Sequence, residues 1–254
     1  MIRYSVLGSG SCGNSYIFTC EGKSILVDAG YSMRQIRLRA EENGFDFDSI
    51  RALFLTHLHP DHCKAAGTFA RQTLKPVFVS RVCKERAVSE YFALNLPDEC
   101  KFSIEPEKEV EIGPFAVGCF YTSHDSAGSC GYSITVEGRR FVIVTDTGVY
   151  DEIMINEAEK CDVLFLEANH DAELLRNGPY PTYLKKRVAG TRGHLSNDQA
   201  RSFLLDAGFD RTQKRVYLIH LSSNNNTVEL VEEAMKGFNA KVCARGSLYL
   251  DEIA

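Results

Sequence analysis

The chain has 254 residues, 44% of them hydrophobic and 25% charged, the make-up of a globular protein rather than a collagen, a coiled coil or a disordered chain. Twenty-nine Lys and Arg against 34 Asp and Glu leave a net charge of −5, which excludes a general nucleic-acid coat but not a local positive site. Nine cysteines, spread from Cys12 to Cys243 with no C-x-x-C, exclude a disulfide framework and a zinc ribbon and read as reduced thiols of a cytoplasmic protein.

The sequence opens without a basic segment leading into an apolar run, so no signal peptide is expected, and no stretch is apolar enough to span a membrane. Short β-rich runs bounded by Gly, Asn or charged residues predict strands at Arg3–Leu7, Tyr16–Cys20, Ser24–Val27 and Ala52–Thr56, the middle two forming a hairpin about Glu21-Gly22-Lys23. A helix is predicted over Met33–Asn43, closed by Gly44. Further helices are predicted from about Asp61 to Gln72 and over Lys84–Tyr91, with a strand at Lys75–Ser80 between them. The second half repeats the rhythm with strands at Phe115–Tyr121, Tyr132–Val136, Phe141–Thr145, Val163–Leu166 and Val216–Ile219. Ser196 and Asn226 each precede Gln or Glu by three residues ahead of an apolar period, the signature of a capped helix. With no linker in the chain, the two β/α halves predict one core and a single domain over 1–254.

The chemistry is carried by His57-Leu58-His59-Pro60-Asp61-His62, four metal-ligating side chains in six residues directly after an apolar strand. On an extended exit, residues 57 and 59 point the same way, while Asp61 and His62 open a helix and turn toward a second position. Neutral imidazole bound to a cation gives crowded histidines a reason to coexist. Other candidates sit at strand ends or helix starts: His124, Asp146, His194 and His220. Gly8-x-Gly10-x-x-Gly13 matches a dinucleotide-binding fingerprint, but a hairpin follows it where that motif needs a helix, which argues against nicotinamide binding.

Asp28 after Ile25-Leu26-Val27, then Thr56–His62, His124, Asp146 and His220, resemble in order the five motifs of the metallo-β-lactamase superfamily. Within it, Ser9–Ser15, Glu167-Ala168-Asn169-His170-Asp171, Gly178-Pro179-Tyr180-Pro181 and Gly193–Asn197 are similar to the YycJ/WalJ group, with ribonuclease Z a relative by site pattern. The resemblance implies an α/β fold, a four-layer αββα sandwich. It also implies two divalent metal ions (Zn, Mn or Fe) at one edge. His57, His59 and His124 would hold one metal, Asp61, His62 and His220 the other, and Asp146 would bridge them; Asp125 is an alternative to His124. Asp28 would steady the ligand loop without touching metal.

The implied activity is hydrolysis of nucleic-acid phosphodiesters by a metal-bound hydroxide, a 5′-to-3′ exonuclease on DNA more than RNA. The catalytic set would be Asp61, with His194 as proton donor oriented by Glu167. A small-molecule hydrolase of the same fold, acting on a cyclic phosphodiester, thioester or lactone, is the competing expectation. Lys185, Lys186, Arg187 and Arg192 before His194 read either as a phosphate-holding segment or as a solvated helix face. His170 is a further site-lining candidate, and Tyr180 and Tyr183 are expected either to stack bases or to pack in the core.

Overall fold

The computed structural model describes residues 1–253. The first half runs β1 (Ile2–Gly8), β2 (Ser15–Cys20), β3 (Lys23–Val27), α1 (Met33–Glu42), β4 (Ile50–Phe54), α2 (Pro60–Cys63), α3 (Ala66–Thr73), β5 (Val77–Ser80), α4 (Arg81–Arg86), α5 (Val88–Ala93) and β6 (Lys101–Ile104). The second runs β7 (Val110–Ile112), β8 (Phe115–Tyr121), β9 (Cys130–Val136), β10 (Arg139–Val144), α6 (Glu152–Lys160), β11 (Val163–Glu167), α7 (Ala172–Asn177), α8 (Thr182–Val188), α9 (Asn197–Asp206), β12 (Arg215–Ile219), α10 (Val228–Ala234) and β13 (Ala240–Val242). A last strand, β14 (Tyr249–Ile253), returns to pair antiparallel with β1.

Two seven-stranded sheets result, in the orders β14-β1-β2-β3-β4-β5-β6 and β13-β12-β11-β10-β9-β8-β7. Period-2 alternation gives each strand an inner and an outer face. Tyr4 and Phe18 of one sheet meet Phe141 and Phe165 of the other, Tyr4 also meets Tyr217, and Phe54 meets Tyr132, in a buried aromatic centre. On the outer faces, Ile17, Leu26 and Leu53 pack under helices through Ile36, Phe69 and Tyr91, while Val142, Leu164 and Leu218 pack under Met154, Phe203 and Val231. Three apolar layers between four layers of structure make the αββα sandwich that the resemblance implies.

Several boundaries move for local reasons. The helix predicted after the histidine loop is two pieces, because Ala65 donates its amide to Ala29 O and His62 O accepts from Ala29 N, tying the chain to the segment after β3. Lys84–Tyr91 likewise breaks at Ala87 into α4 and α5. Ser196 caps α9 in a full capping box as predicted. The α10 cap is Thr227 and not Asn226, whose amide instead donates to Ala168 O and Asn197 Oδ1.

Candidate metal centre

β3, β4, β8, β10, β11 and β12 all deliver a polar residue past their C-terminal ends at one rim of the sandwich. Three of these, Asp28, Asp146 and His220, have φ of 60°, 54° and 58°. Left-handed backbone is costly for residues with a Cβ and gathers at functional sites. Here it turns each side chain out of its strand direction into the rim. Gly30 makes the same rim compact: a Cβ there would lie 1.7 Å from Asp61 O, so only glycine lets the chain after β3 touch the ligand loop.

Two groups of donors meet. In one, His57 Nε2 and His59 Nδ1 lie 3.0 Å apart, and His124 Nε2 lies 3.3 Å from His59 Nδ1. In the other, His62 Nε2 is 3.7 Å from Asp61 Oδ2, and His220 Nε2 is 3.6 Å from the same oxygen. Asp146 reaches both, 3.2 Å from His62 Nε2 and 3.6 Å from His124 Nε2. Each inward nitrogen is set by a partner on the other side of its ring: Asp28 for His62 (2.7 Å), Gly193 O for His124 (3.0 Å) and Glu167 for His220 (3.1 Å). Outer partners of this kind fix the tautomer that leaves a lone pair facing a cation. Asp28 also accepts from the Thr56 amide and hydroxyl, locking the exit of β4.

His220 Nε2 is buried with no hydrogen-bond partner, and an unmatched buried polar atom is costly unless something completes it. That orphan, the convergence of three imidazole nitrogens on one point, and a set of N and O donors without thiolate fit divalent metal ions. Burial holds His57 well below the ordinary imidazole range and lowers His59 and His124, favouring the neutral form that metal ligation would require. For His62 burial pushes the same way but the Asp146 and Asp28 carboxylates outweigh it, raising the group to about 9. His220 is raised well above its usual range, Asp146, Asp61 and Glu167 overcoming burial in the same manner.

Metal uptake is therefore expected to release protons and to tighten as pH rises from 6 toward about 9, since His62 and His220 must each lose a proton to ligate. Calorimetric titration of the chelator-treated chain in two buffers of different ionisation heat reads the number released; none at pH 7 would contradict these charges.

Beside the donors, Glu167 Oε2 holds His194 Nδ1 at 2.8 Å, and Glu167 Oε1 accepts the Leu195 amide at 2.8 Å. Burial opposes ionisation of Glu167, but His194 and His220 outweigh it and bring it down to about 2. His194 is partly exposed and lines the cleft, a cavity of about 360 Å³ shared with His59, Asp61, His124, Asp146 and His220. A larger cavity, about 810 Å³, lies over the outer face of β8 and β9 near Arg140 and contains no histidine, so size alone does not locate the chemistry.

The basic segment divides. On α8, Leu184, Arg187 and Val188 line the cleft, whereas Lys185 donates to Arg176 O and neither Lys185 nor Lys186 faces the cavity. Helical spacing puts 184, 187 and 188 on one face and turns the intervening lysines away. Arg192 donates to His124 O at 3.0 Å and also lies off the cleft. His170 is buried, lowered to about 4 by that burial, and does not line the cleft. Tyr180 lines the cleft, while Tyr183 is exposed rather than packed in the core.

Two asparagines that sequence reading passed over also reach the centre. Asn14 Nδ2 lies 2.9 Å from His62 Nε2, and Asn169 Nδ2 lies 3.2 Å from His220 Nδ1. Asp125 sits 3.4 Å from both His59 Nε2 and His124 Nε2 and is held from outside by Arg187. The only sequence signal for the two asparagines was membership of the Ser9–Ser15 and Glu167–Asp171 motifs, whereas Asp125 was already an alternative to His124 and lies beside it.

Residues 23–221 match the family model described as β-lactamase superfamily domain. This chain belongs to the metallo-β-lactamase superfamily. It is 33% identical over 233 residues to the exodeoxyribonuclease WalJ of Streptococcus pneumoniae, covering 92% of this chain and 86% of that one. It is also 33% identical over 229 residues to the exodeoxyribonuclease YycJ of Bacillus anthracis, at 90% and 86% coverage. Among solved structures, the metallo-β-lactamase fold protein YhfI of Bacillus subtilis superposes with a TM-score of 0.73 at 20% identity, covering 98% of this chain and 99% of that one. Human tRNase Z, short form, superposes at 0.66 and 16% identity, with 97% and 98% coverage. These two likenesses concern the fold. Among the described residues of this superfamily member, no helix is long and apolar enough to cross a membrane.

Proposed function

We propose that the chain is a metal-dependent nuclease that hydrolyses phosphodiester bonds, removing nucleotides from DNA in the 5′-to-3′ direction. The observation that carries this reading is the Glu167–His194 pair opening onto a cleft of convergent histidines and aspartates. Phosphodiester hydrolysis leaves an alkoxide that needs a proton, and His194, held through Nδ1 by Glu167, has Nε2 free to supply it. Relatives named as exodeoxyribonucleases over most of the chain support DNA as the substrate.

In this reading His57, His59 and His124 would hold one divalent ion and Asp61, His62 and His220 a second, with Asp146 within reach of both, and Zn, Mn or Fe would suit such donors. Divalent ions bound there lower the pKa of coordinated water and neutralise phosphate charge. Asp28 keeps His62 oriented, and Gly193 O does the same for His124. Arg187, on the cleft wall and tied to Asp125, offers a guanidinium to an incoming phosphate. We take residues 1–254 as one domain, since one apolar core is shared by both sheets, and the nine free cysteines support a reducing, cytoplasmic location.

The test is direct. The Mn²⁺- or Zn²⁺-loaded chain is expected to shorten a 5′-phosphorylated oligodeoxynucleotide stepwise on a denaturing gel, faster than an RNA of the same sequence. An intact oligonucleotide beside turnover of a simple phosphodiester or thioester would hand the site to small-molecule hydrolysis.

A further inference from the structure

A second and smaller cavity shares His124 as wall with the cleft. It encloses about 280 Å³, and its wall includes Arg86, Thr122, Ser126, Gly128 and Arg192 as well as His124 itself. The way it is built follows from Gly128. That residue has φ +73°, and a Cβ on it would lie 2.3 Å from Cys83 N and 2.6 Å from Ser80 Oγ. Ser80 Oγ donates to Gly128 O at 2.5 Å and accepts the Cys83 amide at 3.0 Å, so the same hydroxyl caps α4 and clamps the loop after β8 against it. The clamp brings Arg86, in the last turn of α4, to the same hollow as Arg192 from the loop before α9.

The lining has an uneven charge. Among the described residues, both fully charged side chains on it are arginines, and no carboxylate borders it. Arg192 uses Nε on His124 O, and among the described residues neither guanidinium has a carboxylate partner. Thr122 Oγ1 is buried there without a hydrogen-bond partner. In a chain of net charge −5, two guanidiniums without carboxylate partners lining one polar hollow with an unsatisfied hydroxyl are organised for an anion. The planar fork of arginine matches phosphate oxygens in particular. Since His124 is wall to both cavities, whatever occupies this one is the immediate neighbour of whatever occupies the cleft.

We propose that this Arg86–Arg192 pocket holds a phosphate of the nucleic-acid strand next to the phosphate in the cleft. The proposal rests on the nuclease reading above and names where the strand is gripped. The phosphate is either an internal diester or the free 5′-terminal group, and the two are separable.

Binding of a fluorescently labelled phosphorothioate oligodeoxynucleotide, which resists cleavage, is measured by anisotropy on the full chain as purified, across a series of salt concentrations. Strands carrying a 5′-phosphate and a 5′-hydroxyl are compared, with Arg86→Glu and Arg86→Lys as variants. Arg86→Glu is expected to weaken binding about tenfold or more, as loss of one charge-assisted hydrogen bond predicts. It should also reduce the slope of log affinity against log salt by about 0.7, one phosphate contact on a single strand. Arg86→Lys retains most of that slope. A loss confined to the 5′-phosphorylated strand assigns the pocket to the terminal phosphate, and an equal loss on both assigns it to an internal one. Unchanged affinity and slope in an Arg86→Glu protein with wild-type circular dichroism overturns the proposal. Because the readout is binding, the two ideas fail separately. Cleavage with Arg86-independent binding removes the pocket alone, and Arg86-dependent binding without any cleavage removes the nuclease reading alone.

Discussion

Asp146→Asn is expected to strip the centre of at least one metal ion and to bring turnover to background. Among the described residues no other carboxylate reaches both donor groups: Asp146 is 3.2 Å from His62 Nε2, 3.6 Å from His124 Nε2 and 3.7 Å from His220 Nε2. It is 2% exposed, and although burial opposes its ionisation, His220, His62, His57 and His124 together hold it well below the usual carboxylate range. Asparagine keeps the shape but removes the charge and turns an N–H₂ toward imidazole nitrogens that need an acceptor or a cation. Loss of an outer partner alone costs about 10–100-fold in metal affinity, so loss of the shared carboxylate should exceed that. Elemental analysis after gel filtration, run beside oligonucleotide cleavage, measures both. Full metal content in a folded Asp146→Asn protein would show that the two groups do not share this residue.

The parts of the molecule legible in advance are those in which neighbours in sequence are neighbours in space. Phe115–Tyr121 alternates and is bounded by turn residues, and it is a strand over that span. His57, His59, Asp61 and His62 lie on one strand exit and one helical turn, so their convergence follows from local geometry. The strand-end positions of His124, Asp146 and His220 were readable because an apolar run stopping at a polar residue marks the end of a buried strand. β14 was not readable: Tyr249–Ile253 is half exposed and becomes a strand by pairing with β1, more than two hundred residues away. The break between α2 and α3 depends on hydrogen bonds to Ala29, again remote in sequence. Asn14, Asn169 and the Arg187–Asp125 pair share that limit, since their chemistry is ordinary until the fold brings them to a histidine. The basic run before His194 was visible as composition, yet only the turn of α8 decides that Arg187 faces the cleft and Lys186 does not.

His194→Ala should slow oligonucleotide cleavage by about 10²–10⁴ while leaving metal content unchanged, the usual worth of a placed general acid. The dissociation is the point of the experiment. Its Nδ1 is committed to Glu167 Oε2 at 2.8 Å, whereas the ring nitrogens of His57, His59 and His124 face one another. Yet Asp146, Glu167, His194 and His220 also cluster closely enough to hold an ion, so a ligand role for His194 is a definite alternative. A ligand takes the metal with it when removed; a proton donor takes only rate. The second discriminator is the leaving group. A p-nitrophenyl phosphodiester departs as a stable anion without needing a proton, so His194→Ala should lose far less rate on it than on DNA. Glu167→Gln cannot replace this test, because Glu167 also accepts from the Leu195 and Asp146 amides and supports His220, so its removal disturbs the ligand frame as well. If His194→Ala loses metal, or loses as much rate on the activated diester as on DNA, the histidine is structural to the centre, and the leaving oxygen takes its proton elsewhere.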